Sequence, residues 1–153
     1  MQSNELIDFI AKIPSLKNHF IGVFSIDTLP IPSTLKNRKF LICNTAIQTE
    51  IGEHWLCVSK INHKIEVFDS LGVDEQKKAL LANFCKPKYA NELKINVTPV
   101  QSKTSTSCGL FVLYFVINRF YNADLGFKTL LNEIFTLDLD LNERLVKEFC
   151  EIF

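Results

Sequence analysis

The chain has little of what marks several large protein classes. Its five cysteines (Cys43, Cys57, Cys85, Cys108 and Cys150) are odd in number and include no CxxC pair. A disulfide framework is therefore poorly served, and a reducing compartment fits better. Charge of neither sign is in excess, seventeen basic residues balancing seventeen acidic ones. Nothing global draws such a chain to nucleic acid or to an anionic membrane, so DNA is not expected as its main partner. The longest apolar run, Gly109 to Ile117, is too short to cross a bilayer. The opening Met1-Gln2-Ser3-Asn4-Glu5 lacks the basic and apolar regions of a secretory signal, and a soluble, non-secreted protein is expected. Repeats, low-complexity tracts and linkers are also missing. The 153 residues are accordingly read as one domain, 1–153, expected to be a monomer.

What is present is enough apolar sequence for a sizeable core. Hydrophobic residues make up 47% and charged residues 22%, with thirteen Phe against one Trp and one Met. Disorder is excluded at that composition.

Periodicity and punctuation divide the chain coarsely. Ser3 can cap a helix over Asn4–Ile13, with Leu6, Phe9, Ile10 and Ile13 on one face and Pro14 just past its end. Ser15 to Lys39 carries two of the five prolines and reads as irregular. Phe40–Cys43 reads as a buried strand. His54–Ile61 and Lys64–Ser70, separated by Asn62-His63, predict a hairpin. A helix is expected from Asp74 through Phe84, stopping before Pro87, and then a strand over Ile95–Val100. The run Cys108–Ile117 is apolar on every side, and periodicity leaves helix and buried strand both open. Two amphipathic helices, Phe127–Phe135 and Asn142–Ile152, close the chain. The class is α+β, a small mostly antiparallel sheet packed against helices.

Cys108 follows Ser105-Thr106-Ser107, residues that favour helix starts. If a helix begins there, its free N–H groups and dipole stabilise a thiolate. A buried structural cysteine is the plainer alternative. Gly109 would let a substrate backbone approach without a Cβ in the way. Strand alternation places His54 with Leu56 and opposite Trp55 and Cys57. A zinc pair from His54 and Cys57 is therefore disfavoured, since the two side chains point apart. If the hairpin turn has two residues, residue 56 faces residue 69, and His54 lies diagonal to Asp69 on one face. A three-residue turn would reverse that parity.

A thiol attacks as thiolate, which needs a base, and the base needs a group to fix its tautomer. Cys108, His54 and Asp69 fill those roles. Gln101 could hold an oxyanion together with the Cys108 backbone N–H. Jointly these residues point to acyl transfer, with no metal or cofactor required.

The blocks Glu53-His54-Trp55, Val67-Phe68-Asp69-Ser70-Leu71-Gly72 and Val100-Gln101…Cys108-Gly109-Leu110-Phe111, in that order, resemble the adenain-like cysteine endopeptidases. These are maturation proteases of adenoviruses, with relatives in virophages and Maverick-type elements. Phe20-Ile21-Gly22-Val23-Phe24 and Cys43-Asn44-Thr45-Ala46 are similar to two further segments of that family, so the likeness runs from near residue 20 to about residue 120. It implies a fold shared with the proteases that process SUMO, with Cys108 opening the central helix. The roles it implies are nucleophile for Cys108, general base for His54, orienting carboxylate for Asp69 and oxyanion donor for Gln101. Trp55 would pack near the imidazole, although an ordinary core position suits it equally. The implied substrates are polypeptides cut after glycine, among them viral capsid precursors, and the implied setting is the virion and the host-cell interior.

Two features depart from the adenoviral pattern. Ala90–Val100, where a cysteine would bind the activating peptide, contains none, and the chain is neutral where the adenoviral enzyme is basic. The expectation is an enzyme independent of DNA and of a disulfide-linked activator, with a non-covalent peptide activator left open. Two other readings are a deconjugating protease for a ubiquitin-like modifier such as SUMO, and a catalytically silent binding module.

Overall fold

In a computed structural model, residues 1–30, 34–46, 54–84 and 93–153 are described. Glu53, Cys85 and the expected helix stop before Pro87 lie outside these residues.

The elements in chain order are α1 (Ser3–Ala11), α2 (Pro14–Lys17), β1 (Phe20–Ser25), β2 (Lys39–Asn44), β3 (Trp55–Ile61), β4 (Lys64–Phe68), α3 (Glu75–Phe84), β5 (Leu93–Ile95), α4 (Cys108–Tyr121), α5 (Phe127–Ile134) and α6 (Leu139–Cys150). The strands form one five-stranded sheet in the order β1-β2-β3-β4-β5. The central ladders β2–β3 and β3–β4 are antiparallel, and the outer ladders β1–β2 and β4–β5 are parallel. The chain is α+β, with a mixed sheet packed against helices.

The β3–β4 hairpin has the two-residue turn its sequence predicts. Asn62 and His63 both take positive φ, 49° and 65°, the geometry that matches a hairpin's right-handed twist. Cys57 then pairs with Phe68, so the register carries residue 56 towards residue 69. Alternation sorts the strand faces as expected. Trp55 and Cys57 join the core under α4, while Leu56 and Val58 join the core on the other side of the sheet.

The ambiguous run Cys108–Ile117 is a helix, continuing to Tyr121. Its unbroken apolarity follows from its surroundings, since β3, α1, α5 and α6 all pack around it. A helix covered on all sides has no polar stripe to reveal its period. Phe68 stacks on Phe115 of α4 with ring centroids 4.3 Å apart, and on Phe135 at 5.6 Å. That aromatic column ties the end of β4 to α4, one residue short of Asp69.

Two expectations require correction. Ser15–Lys39 is not irregular throughout: it contains most of α2 and the whole edge strand β1, whose ladder slips between Phe20 and Val23. The last strand ends at Ile95 rather than running to Val100. Beyond Ile95 the Asn96 side chain replaces the ladder: its Oδ1 accepts from the Asp69 N–H at 2.9 Å, and its Nδ2 donates to the Asp69 carbonyl at 2.6 Å. Pro99 could not have continued the pairing in any case, having no N–H.

Candidate active site

The residues that open α4, precede β3 and follow β4 meet at one end of the sheet. His54 sits just before β3, its carbonyl accepting from the Thr45 N–H at 3.0 Å. Its Nε2 lies 2.6 Å from Asp69 Oδ1. Since Asp69 engages Nε2, the other ring nitrogen, Nδ1, is the one left to face Cys108, the neighbour whose interaction with the ring helps to raise it.

Asp69 is fully buried and has three partners on its carboxylate. Besides His54, Oδ1 accepts from the Leu71 N–H at 2.8 Å. The Lys77 ammonium, on α3, lies 2.6 Å from Oδ2. Burial alone would raise this carboxyl, but the bonds and charges of His54 and Lys77 outweigh it and hold it below the ordinary carboxylate range. The imidazole responds in the opposite sense. Burial pushes it down, yet the Asp69 and Cys108 hydrogen bonds and charges raise it to about 9. Burial likewise pushes the Cys108 thiol up, while His54 and the backbone N–H groups of Trp55 and Gly109 draw it below the ordinary thiol range. A thiol brought down beside an imidazole brought up is the condition for a thiolate–imidazolium pair.

The other described cysteines move the other way. Burial, with a contribution from Asp27, pushes Cys43 up to about 12, and burial takes Cys150 to about 11. Cys57 is raised well above the ordinary value by burial and by Glu66. Only Cys108 among them has a base beside it.

Gln101 is buried beside this cluster. Its Oε1 accepts from Ser70 Oγ at 2.5 Å, and its Nε2 donates to the Ser105 carbonyl at 3.0 Å and to Ser105 Oγ at 3.1 Å. Both acceptors belong to Ser105, so one N–H can serve them as a three-centre bond.

Two expected contacts take a different form. The Trp55 backbone N–H helps to lower the Cys108 thiol, whereas its ring is buried in the α4-side core and donates Nε1 to the Met1 carbonyl at 3.0 Å. The open side of Gly109 is covered by Met1: a Cβ at position 109 would stand 2.7 Å from the Met1 sulfur. The close approach that glycine allows here is made by this chain's own N-terminal side chain.

Ser70, Lys77, Asn96 and Asn142 escape sequence reasoning. Lys77 carried one legible signal, the Asp74 carboxylate that accepts from its N–H at 2.8 Å and sets where α3 begins. Asn142, read only as the start of a helix, is wholly buried and donates Nδ2 to the Val100 carbonyl at 3.0 Å.

No family model matches the sequence. A protease of ovine adenovirus D serotype 7 (isolate OAV287) is 29% identical over 128 residues, covering 74% of this chain and 62% of that protein. The chain thus matches less than two thirds of that protease's length. The central domain of an uncharacterized Legionella pneumophila protein superposes with a TM-score of 0.49 at 17% identity, covering 99% of this chain and 96% of that one. An AvrA deletion variant with IP6 and CoA gives 0.39 at 14% identity, covering 92% and 57%. Both structural likenesses are loose, and the fold description stands on strand order and helix placement alone.

Proposed function

We propose that the protein is a cysteine endopeptidase, and that Cys108, His54, Asp69 and Gln101 are its catalytic residues. The observation that carries this reading is the His54–Asp69 hydrogen bond of 2.6 Å beside Cys108, with the thiol lowered by the imidazole and the imidazole raised. The similarity to an adenovirus protease supports it independently.

In this mechanism the Cys108 thiolate attacks the scissile carbonyl carbon. The oxygen of the tetrahedral intermediate is held by the Cys108 backbone N–H and the free N–H of Gln101. The His54 imidazolium then gives its proton to the leaving amine as the C–N bond breaks, leaving a thioester. His54, now neutral, takes a proton from water, whose hydroxide attacks the thioester and releases Cys108. Asp69 keeps the ring turned so that one nitrogen faces sulfur throughout.

The substrates proposed are polypeptides cut after glycine, including structural precursors of a virus, with the virion and the infected-cell interior as the setting. The motif likeness around His54 and Cys108 and the adenoviral relative support this choice. Balanced charge supports activity without DNA.

The test is incubation of the purified protein with a library of glycine-containing peptides, read by mass spectrometry, with and without duplex DNA at low salt. Cleavage on the carboxyl side of glycine, abolished by Cys108→Ala at unchanged melting temperature, is the expected result. Cleavage that survives Cys108→Ala would move the chemistry to another residue. Stimulation by DNA that vanishes at high salt would overturn the DNA-independent reading.

A further inference from the structure

The segment from Val100 to Cys108 carries both the proposed oxyanion donor and the nucleophile, and it contains no helix or strand until Cys108. Two consecutive residues of α6 grip it at its two ends. Asn142 Nδ2 holds the Val100 carbonyl at 3.0 Å. Glu143 takes the other end: Oε2 accepts from Ser105 Oγ at 2.6 Å, and Oε1 accepts from Ser107 Oγ at 2.5 Å. Lys147, one turn along α6, lies 2.9 Å from the same Oε1.

The two serines are not incidental partners. Ser105 Oγ accepts from Gln101 Nε2 at 3.1 Å and from the Ser107 N–H at 3.2 Å, so its own hydroxyl hydrogen is what Glu143 receives. Ser107 is the N-cap of α4, a position where a serine hydroxyl normally accepts from the first turn. Here it makes no such bond and donates to Glu143 instead. The carboxylate therefore orients one hydroxyl that touches the Gln101 amide and another on the residue bonded to Cys108.

We propose that Glu143 is a positioning residue of this site, clamping Ser105 and Ser107 so that the Gln101 amide and the Cys108 sulfur are held in place together. The proposal rests on the catalytic reading of Cys108 and Gln101 given above. It adds a further element, α6, to the machinery. Misplacement of reacting groups by about 1 Å can cost up to about a hundredfold in rate, so loss of the clamp should appear in turnover more than in substrate binding.

The experiment compares Glu143→Ala, Glu143→Gln and Lys147→Met. Each is assayed for peptide hydrolysis, for melting temperature, and for the pH dependence of Cys108 alkylation by iodoacetamide, which requires no substrate. Glu143→Ala should lower kcat by about tenfold or more with KM nearly unchanged, and should slow alkylation near neutral pH. Glu143→Gln can still accept from one serine and donate to the other, so it should recover most of kcat. With the negative charge gone, its alkylation should match or exceed that of the wild type. Lys147→Met leaves both serine contacts intact and should stay within about twofold. Should Glu143→Ala fail to fold, the double variant Ser105→Ala/Ser107→Ala removes the same contacts and should reproduce the loss in kcat and alkylation. Equal behaviour of Glu143→Ala and Glu143→Gln in alkylation, or wild-type turnover of either clamp-deficient protein, would overturn the proposal. If no peptide is cleaved by the wild type, the protease reading fails, while the alkylation series still decides whether Glu143 positions Cys108.

Discussion

Two carboxylates three residues apart, one within a strand and one just past its end, meet very different partners. Glu66 lies within β4, and Asp69 lies just past its end. Both are buried, and both meet a cation. Glu66 meets Arg119 in a two-pronged pair, Nε to Oε2 at 2.7 Å and Nη2 to Oε1 at 2.8 Å. Nη1 donates to the Asn122 and Leu125 carbonyls at 3.0 and 2.9 Å. Each nitrogen of the guanidinium and each oxygen of the carboxylate has a partner, and a guanidinium stays charged in proteins. Burial raises the Glu66 carboxyl, with Arg119 and Lys64 opposing it. Asp69, by contrast, is drawn down by His54 and Lys77 against the effect of burial. Its principal partner titrates, and that partner touches a thiol. The same residue class in the same sheet is a lock in one place and a lever in the other, and the difference is the proton inventory of the partner.

Breaking the lock should cost the fold. Glu66→Ala leaves the Arg119 charge buried without its partner and should destabilise the protein by ~3–5 kcal/mol, measurable by urea unfolding, while the fraction that remains folded keeps wild-type kcat. Replacing both partners, as Glu66→Leu/Arg119→Met, should recover part of that loss. Recovery stays partial because the Asn122 and Leu125 carbonyls lose their donor. A fall in kcat for folded Glu66→Ala would erase the distinction between the two carboxylates.

Breaking the lever should cost turnover and shift its pH profile. Asp69→Asn should lower kcat by about ten- to a hundredfold, roughly 1.4–2.7 kcal/mol, with a smaller effect on stability. His54 must stay protonated to support the thiolate, so the alkaline limb of the wild-type profile should fall near the raised imidazole value of about 9. Asp69 is a main cause of that rise, and its removal should move the limb to lower pH. An unmoved limb would detach His54 from the proton bookkeeping.

The smallest effect is expected at Gly109. An added Cβ meets the flexible Met1 side chain rather than backbone, and Ala gains up to about 1 kcal/mol over Gly within a helix. Gly109→Ala should therefore change the melting temperature little. A large loss of activity at unchanged stability would show that Met1 moves aside for substrate and that the open side of the glycine is used.

Local chemistry made much of this legible. The apolar alternation and the Asn62-His63 turn fixed the hairpin register, and the register brought Asp69 to the side of His54. The capping residues before Cys108 marked a helix start even though the helix period was invisible. Short strands were harder to read. β5 ends where the Asn96 side chain takes over from the backbone, and a side chain that bonds backbone in place of a ladder leaves no periodic trace. β1 lies among prolines and pairs at the sheet edge, where local propensity says little about a partner some twenty positions away, such as Phe40 opposite Phe20.

What the amino-acid sequence determined by itself was that Cys108, His54 and Asp69 are candidates for one site, because each role needs a particular functional group and strand parity limits where that group can point. What only the tertiary structure decided was which neighbours set their proton affinities and hold them still. Lys77 on Asp69, Asn96 across the Asp69 backbone, Met1 over Gly109 and Glu143 on the two serines all come from other elements of the fold or from loops beyond them, and all but Lys77 are distant in the chain. Lys, Asn and Glu are commonplace on any surface, and apart from the Asp74 signal before Lys77 nothing in the local pattern distinguishes these four residues. Their significance arises only when packing removes water and leaves one partner within reach of a charge or a hydroxyl.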